Sequence, residues 1–437
     1  MRKLMTVGTR WPIRGQRRRC SLLVALAASG IAAVAAGHGF EVDGIATEWL
    51  DRGPPADNLG LIARDAAGEG EFIWRDRVGD ERTDLARPDG ELDLVEVRVA
   101  GGRALGQPGL GILIRTHAAP GPDAQFQIAI DLDRGLGSGR AWLVAEADTR
   151  VAEDARWEHL LQTRFGECPD AVCSARIWHA TGFSFDDTAL ASRGEDGIEV
   201  FVPWSSLDLG APPQHPLRFT VASLRADLDQ RTVDLGGPDV SNAIDVVSDG
   251  GRPAAARVNT WTEVADQCID HHFDVFFDRA DGEVYPPLLI DRLVTDRSPG
   301  GGGPWIAVFN QSPLELLLEG YQIGDEETVG GDEGMARFPI STIRSLDRAV
   351  VAWRASRFRS AFGRRPDFEL MGSDPAVPNL AAVPSWASGA VELSSAGDEV
   401  LLLDRWNTIV DAVSYGEGRF SGVVPHTPPG RGRLLLR

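Results

Sequence analysis

The chain has 437 residues with 44 basic and 64 acidic side chains and a formal net charge of −20; it repels phosphate backbones, which argues against nucleic-acid binding. Hydrophobic residues make up 43% and charged residues 25%, a composition that excludes wholesale disorder, collagen-like structure and coiled coil. Gly 49 and Pro 27 make about one residue in six a turn former, so the expected fold is all-β, in two to three domains at roughly 150 residues each.

Residues 1–36 carry Arg2, Lys3, Arg10, Arg14, Arg17, Arg18 and Arg19 without an acid, then run into a small-residue apolar stretch ending near Ala33-Val34-Ala35. This reads as a secretory signal peptide. Arg18-Arg19 leaves both the general and the twin-arginine export routes open. Cys20 precedes the apolar stretch, so it is not a lipoprotein cysteine. Past that segment the chain contains no lysine and no other apolar run of 18 residues. The mature protein is therefore expected outside the cytoplasm, secreted or periplasmic, with no membrane span.

From about residue 71 the pattern has period two: Val95, Val97 and Val99 alternate with Glu96 and Arg98, and Phe126, Ile128 and Ile130 with Gln127, Ala129 and Asp131. Such alternation predicts half-buried strands. Further strands are expected at Glu71–Asp76, Ala141–Ala145, Arg176–His179, Ile198–Trp204, Leu217–Ser223 and His272–Phe277, with a short helix in Arg150–Thr163. A turn-rich connector at 278–287 separates this series from a second, which starts at Leu288 and continues to Tyr415. Its one helical piece is Ser356–Gly363, with Ser356 as N-cap, Phe358 and Phe362 on one face and Gly363 beyond the C-terminus. The predicted organisation is a signal peptide (1–36), a first β-sandwich (38–277), a linker (278–287), a second, immunoglobulin-like sandwich (288–420) and a tail (421–437).

Three cysteines remain after export. Cys168 and Cys173 bracket a Pro-Asp turn and are expected to form a local disulfide; redox and zinc readings of C-x₄-C are weaker, because the thioredoxin spacing and a second thiol pair are both missing. Cys268 is expected to be buried.

The second half resembles the bacterial lamin tail domain in Pro304-WIAVFN-Gln311, Leu318-EGYQIGD-Glu326, Ala336-RFP-Ile340, Ser394-SAGDEVLLLD-Arg405 and Val410-DAVSYG-Glu417. One departure is Ala307, where the family usually places an acid. The resemblance implies an immunoglobulin-like, non-catalytic module of secreted or surface proteins. The first half is similar to the DOMON and family 9 carbohydrate-binding sandwiches in Val42-DGIATEW-Leu50, Asp93-LVEVRVA-Gly101, Ile128-AIDLDRG-Leu136 and Glu199-VFVPWSSL-Asp208, which implies a sandwich and, by analogy of fold, sugar binding.

Asp131 and Asp133 end a strand in a Gly-rich loop and form a candidate calcium corner, although the loop departs from the EF-hand pattern at Gly135 and Trp142. Asp76, Asp80, Asp84, Asp89 and Asp93 form a second acidic cluster with two open readings: a loop that faces the same corner, or a chance grouping of the kind expected in a chain with 64 acids. Adjacent His271 and His272 point to opposite faces of a strand and cannot chelate one ion together, so Asp270, His272 and Asp274 read as a solvated polar face. Trp74, Trp142, Trp178 and Trp204 are expected in the core, the other reading being an exposed stacking platform for sugar rings. No hydrolase, P-loop or Cys-His signature is present. The leading function is a secreted, non-catalytic binding or surface-interaction protein for an extracellular glycan or protein. The alternative is a secreted polysaccharide hydrolase using carboxylates of the first domain.

Overall fold

The computed structural model describes residues 38–65, 67–82, 90–135, 137–144, 147–166, 172–195, 197–225, 242–247, 267–295, 302–428 and 435–436; the expected signal peptide, Asp84, Asp89 and Cys168 lie outside these residues. Among the described residues strands dominate and one α-helix occurs, Ala355–Phe362. The all-β expectation holds.

The first half is one continuous antiparallel series. In spatial order it runs Gly60–Arg64, Gly70–Arg75, Leu94–Ala104, Gln107–Thr116, Ile198–Pro203, Ser184–Arg193, Val172–His179, His159–Arg164, Ala124–Asp131, Leu217–Arg225 and Phe273–Val275. The series curls until its ends meet. Phe72, near one end, stacks on Phe273 at the other with ring centroids 4.8 Å apart, and Trp74 and Phe219 flank the pair. These rings join Val97, Val99, Ile112, Ile128 and Val200 in one core, as a sheet twisted by its own strands requires when only one face is apolar.

In this half the structure corrects two readings of local pattern. Arg150–Thr163 is not a helix: it holds the strand Arg150–Val151, a 3-10 turn Glu153–Ala155 and the strand His159–Arg164. His159 to Thr163 are buried on both faces, and an element covered on both sides loses the alternation that would mark it as a strand. The polar positions Glu96 and Arg98 are also buried, not solvated. Residues 38–52 cross this face of the sheet. Arg98 donates to the carbonyls of Leu50 and Arg52 and pairs with Glu96 at 2.7 Å and Glu71 at 3.2 Å.

Glu199 anchors the same crossing segment. Its Oε2 accepts the amides of Asp43 and Gly44 at 2.9 and 2.8 Å, and its Oε1 accepts the Trp49 indole at 2.7 Å. Gly44 has φ 78°, and a Cβ there would lie 2.2 Å from the Gly194 nitrogen, so only glycine fits.

In the second half, Leu288–Val294, Trp305–Asn310, Arg348–Ala352, Phe368–Glu369 and Leu435–Leu436 form one sheet. Gln322–Gly324, Met335–Arg337, Ala381–Ala382, Gly397–Leu403 and Ile409–Gly416 form the other. Ile306, Val308 and Val351 from the first and Ile323, Val400, Leu402 and Tyr415 from the second share a core. Asn310 closes its strand by donating to the carbonyls of Leu314 and Ile343. Ala307 packs in a small apolar cluster with Phe358 of the helix. The helix starts one residue before the expected cap: Arg354 is the N-cap, and the Ala355 amide is satisfied by Glu369 Oε2 instead of by Ser356. Gly363 ends it at φ 70° as expected.

Residues 278–287 form a tight hairpin, with the Gly282 amide on Asp278 O and Val284 fully buried. A Cβ on Gly101 would lie 1.8 Å from the Gly282 carbonyl, so the hairpin seats directly on the first sheet. The described residues belong to one compact unit. Leu61 pairs in parallel with Ile409, and Ile62 packs against both cores.

Candidate functional site

Asp131 and Asp133 end the strand Ala124–Asp131, and their carboxylates organise the loop that follows. Asp131 Oδ1 accepts the amides of Asp133 and Arg134 at 3.0 and 2.6 Å, while Asp133 Oδ1 accepts the Gly135 amide and the Ser138 hydroxyl, both at 2.7 Å. Glu158, which no local motif flags, joins them: one oxygen from each of the three carboxylates lies within 4.8 Å of the others. Glu158 Oε2 accepts the Leu132 amide and Oε1 is buried without a partner. Burial pushes Glu158 up to about 7 against the pull of the Leu132 amide.

Asp76 and Asp80 do not face that corner. They cluster with Asp245, again within 4.8 Å, and all three are buried. On the shared strand Leu217–Arg225, Arg218 pairs with Asp131 but Ser223 pairs with Asp245; five residues at about 3.3 Å per residue separate the two clusters by roughly 16 Å. Asp93, which accepts the Gly79 amide at 2.9 Å, lies beside the second cluster. Both Asp80 oxygens are buried without a partner. Burial, with the Asp93 charge behind it, pushes Asp80 up to about 7.

The outer face of the strands His159–Arg164, Val172–His179 and Ser184–Arg193 carries a different surface. Trp178 packs against Phe183 at 5.4 Å and Phe185 at 4.8 Å, and Arg140 and Arg176 lie over those two phenylalanine rings at 4.0 and 4.8 Å. Phe183 and Phe185 are 48% and 47% exposed. Phe183 closes its turn at φ 47°, a left-handed backbone that a bulky residue rarely adopts. The Trp178 indole donates to Gln162 Oε1 at 2.9 Å, and the ring bridges the exposed phenylalanines and the buried cluster that contains Leu143, Val144 and Trp157. Of the four tryptophans expected in the core, Trp74 and Trp204 are buried there, but Trp178 is half-buried and Trp142 is 49% exposed. At the edge of this shelf His159 and His179 sit directly opposite each other across the ladder. Burial, then the neighbouring His179, pulls His159 down to about 4, so its imidazole is neutral at neutral pH.

Of the expected solvated face Asp270, His272 and Asp274, only Asp270 is exposed; Asp274 is half-buried, and His272 is buried, as is its neighbour His271. The loop 404–407 of the second half covers them. His271 lies between Trp74 and Trp406 at 4.8 and 4.6 Å, and His272 Nε2 meets Arg405 Nη2 at 2.7 Å. Asp274 pairs with Arg218 at 2.8 Å and Arg134 at 3.3 Å. An open pocket beside this contact is lined by Arg134, Asp274, Tyr321, Asp404, Arg405 and Trp406. Cys173 is disulfide-bonded, whereas Cys268 keeps a buried thiol that donates to Asp270 Oδ1 at 3.4 Å.

The chain matches no described protein family and no curated protein. Among solved structures it aligns with the crystal structure of a DUF4876 family protein from Bacteroides thetaiotaomicron VPI-5482 at 13% identity, over 53% of this chain, with a TM-score of 0.22. The chain spans about three fifths of that protein's length (61%), and the likeness is too slight to support an argument about fold or function.

Proposed function

We propose that this chain is an extracellular, non-catalytic binding protein whose aromatic shelf takes a carbohydrate ligand. The observation that carries the reading is the packing of half-exposed Phe183 and Phe185 on Trp178. Aromatic rings left at the surface cost hydration free energy, and the apolar C–H face of a pyranose ring is the surface that covers them best while keeping its hydroxyls wet. Arg140 and Arg176, which lie over the two phenylalanine rings, supply donors for those hydroxyls when they swing aside to the rim. Holding Phe183 in a left-handed turn costs on the order of 1–3 kcal/mol, an expense that a merely structural hairpin would avoid with glycine or asparagine.

A glycan array probed with the full mature chain, followed by titration of the best hit, tests the reading. Phe183→Ala and Phe185→Ala are each expected to weaken that hit roughly two- to tenfold, since one aromatic contact is worth about 0.5–1.5 kcal/mol. A chain that binds no glycan, or binds one equally well with both phenylalanines removed, overturns it.

A further inference from the structure

His159, His179 and Asp208 converge from three separate stretches of chain, and nothing in the glycan reading uses them. His159 lies on the strand His159–Arg164, His179 ends the strand Val172–His179, and Asp208 follows the short 3-10 turn Trp204–Leu207. The ladder places the two histidines directly opposite each other, with ring centroids 5.0 Å apart and planes at 85°. Asp208 is fixed by its backbone: it sits at φ 56° and donates its amide to Trp204 O, which brings its carboxylate to the histidines although the side chain is 80% exposed. Asp208 Oδ2 lies 3.7 Å from His159 Nε2 and 4.0 Å from His179 Nδ1, and the three ligand atoms fall within 4.8 Å of one another.

We propose that His159 Nε2, His179 Nδ1 and Asp208 Oδ2 form an open three-ligand site for a zinc-like first-row transition-metal ion. Ligands at about 2.0–2.1 Å in tetrahedral array stand roughly 3.4 Å apart, so the two Asp208 distances close with movements of about half an ångström, and the His159–His179 separation, under 4.8 Å, with about 1.4 Å at most. Two imidazoles and one carboxylate form the ligand set of an open zinc site, and the exposure of Asp208 leaves the remaining position to water or an exogenous ligand. A further observation fits a metal better than a bare ion pair. His179 Nε2, the nitrogen turned away from the cluster, meets Asp186 Oδ2 at 2.9 Å. The other Asp186 oxygen is held by the amide and hydroxyl of Thr188, at 3.1 and 2.6 Å, and that hydroxyl lies 2.9 Å from Ser206 Oγ. A carboxylate on the far nitrogen fixes the tautomer that leaves Nδ1 as a lone-pair donor, an arrangement that metal-binding histidines almost always have.

The test uses the full mature chain, free of any histidine tag and treated with chelator, titrated with Zn²⁺ by calorimetry and with Co²⁺ by visible absorption. The expected result is one saturable equivalent whose Co²⁺ bands indicate nitrogen ligands. Asp208→Ala and His179→Ala should each weaken binding at least tenfold, and Asp186→Asn ten- to a hundredfold without abolishing it. His159 is buried and its replacement risks the fold, so the decision rests on Asp208 and His179, whose substitutions leave the core untouched. Absence of a saturable equivalent overturns the site, as does equal affinity in both of those variants. The glycan reading is scored separately, by Phe183→Ala and Phe185→Ala.

Discussion

Replacing Glu199 with glutamine tests how the segment 38–52 is held to the sheet. The carboxylate accepts three hydrogen bonds from this segment, two backbone amides on Oε2 and the Trp49 indole on Oε1. Glutamine keeps the shape but has one accepting oxygen. If that oxygen faces Asp43 and Gly44, the amide NH₂ is turned against the Trp49 N–H, donor to donor; flipped, it opposes the two backbone amides. Either way at least one buried donor loses its partner, at about 1–3 kcal/mol. Trp49 also packs on Phe40 at 5.2 Å and Phe40 on Phe201 at 5.9 Å, so the loosened indole weakens a small apolar cluster. At roughly 2–4 °C per kcal/mol for a unit of 150–250 residues, and less for a larger one, Tm should fall by a few degrees. Hydrogen exchange at Gly44 should accelerate at least fivefold, because this amide is released even when the segment opens locally. The wild type carries a pH signature as well. Burial raises Glu199 against the pull of Trp49 and the two amides, so the folded state holds the extra proton and stability falls as pH rises from the ordinary glutamate value through the raised one. Glu199→Gln should remove that part of the slope. A variant with unchanged Tm and unchanged Gly44 exchange would refute the account of the segment as pinned by this carboxylate.

Millimolar Ca²⁺ is expected to raise Tm by a few degrees through the Asp76, Asp80 and Asp245 cluster, where the Asp80 carboxylate has no hydrogen-bond partner among the described residues, and Asp80→Asn should abolish the rise. A rise lost in Asp133→Asn instead moves the ion to the strand-end loop, and no rise in the wild type removes calcium from both. Non-reducing peptide mapping should show Cys173 joined to Cys168, with Cys268 alkylated only after unfolding; a peptide linking Cys268 to either cysteine would sink that assignment.

The strands that alternate cleanly were legible because one face of each meets the apolar core, and hydrophobic period reports that directly: Phe126, Ile128 and Ile130 are all buried in it as expected. Gly363 was legible because a left-handed C-terminus favours glycine. What stayed hidden depends on who covers what. Glu96, Arg98 and His272 read as polar surface, yet residues 38–52 and 404–407 arrive from far along the chain to cover them. The candidate sites were hidden for the same reason. Glu158, Asp245 and the His159–His179 pair become neighbours only through ladder register, and register between distant strands leaves no mark in local spacing. Trp142 and Trp178 were placed inward because tryptophan in a strand is usually buried. The partner rings that hold Trp178 at the surface come from the next strand and its turn.

The seam where Leu61 pairs with Ile409, Ile62 touches both cores and Trp406 lies on His271 fixes how the two halves present whatever they bind. Modules on a flexible tether gain avidity according to the reach of the tether, with an effective concentration that falls as the linker lengthens. Here that quantity is set by a seam of side chains. The aromatic shelf around Trp178 therefore keeps one spacing and one angle to every surface of the second half.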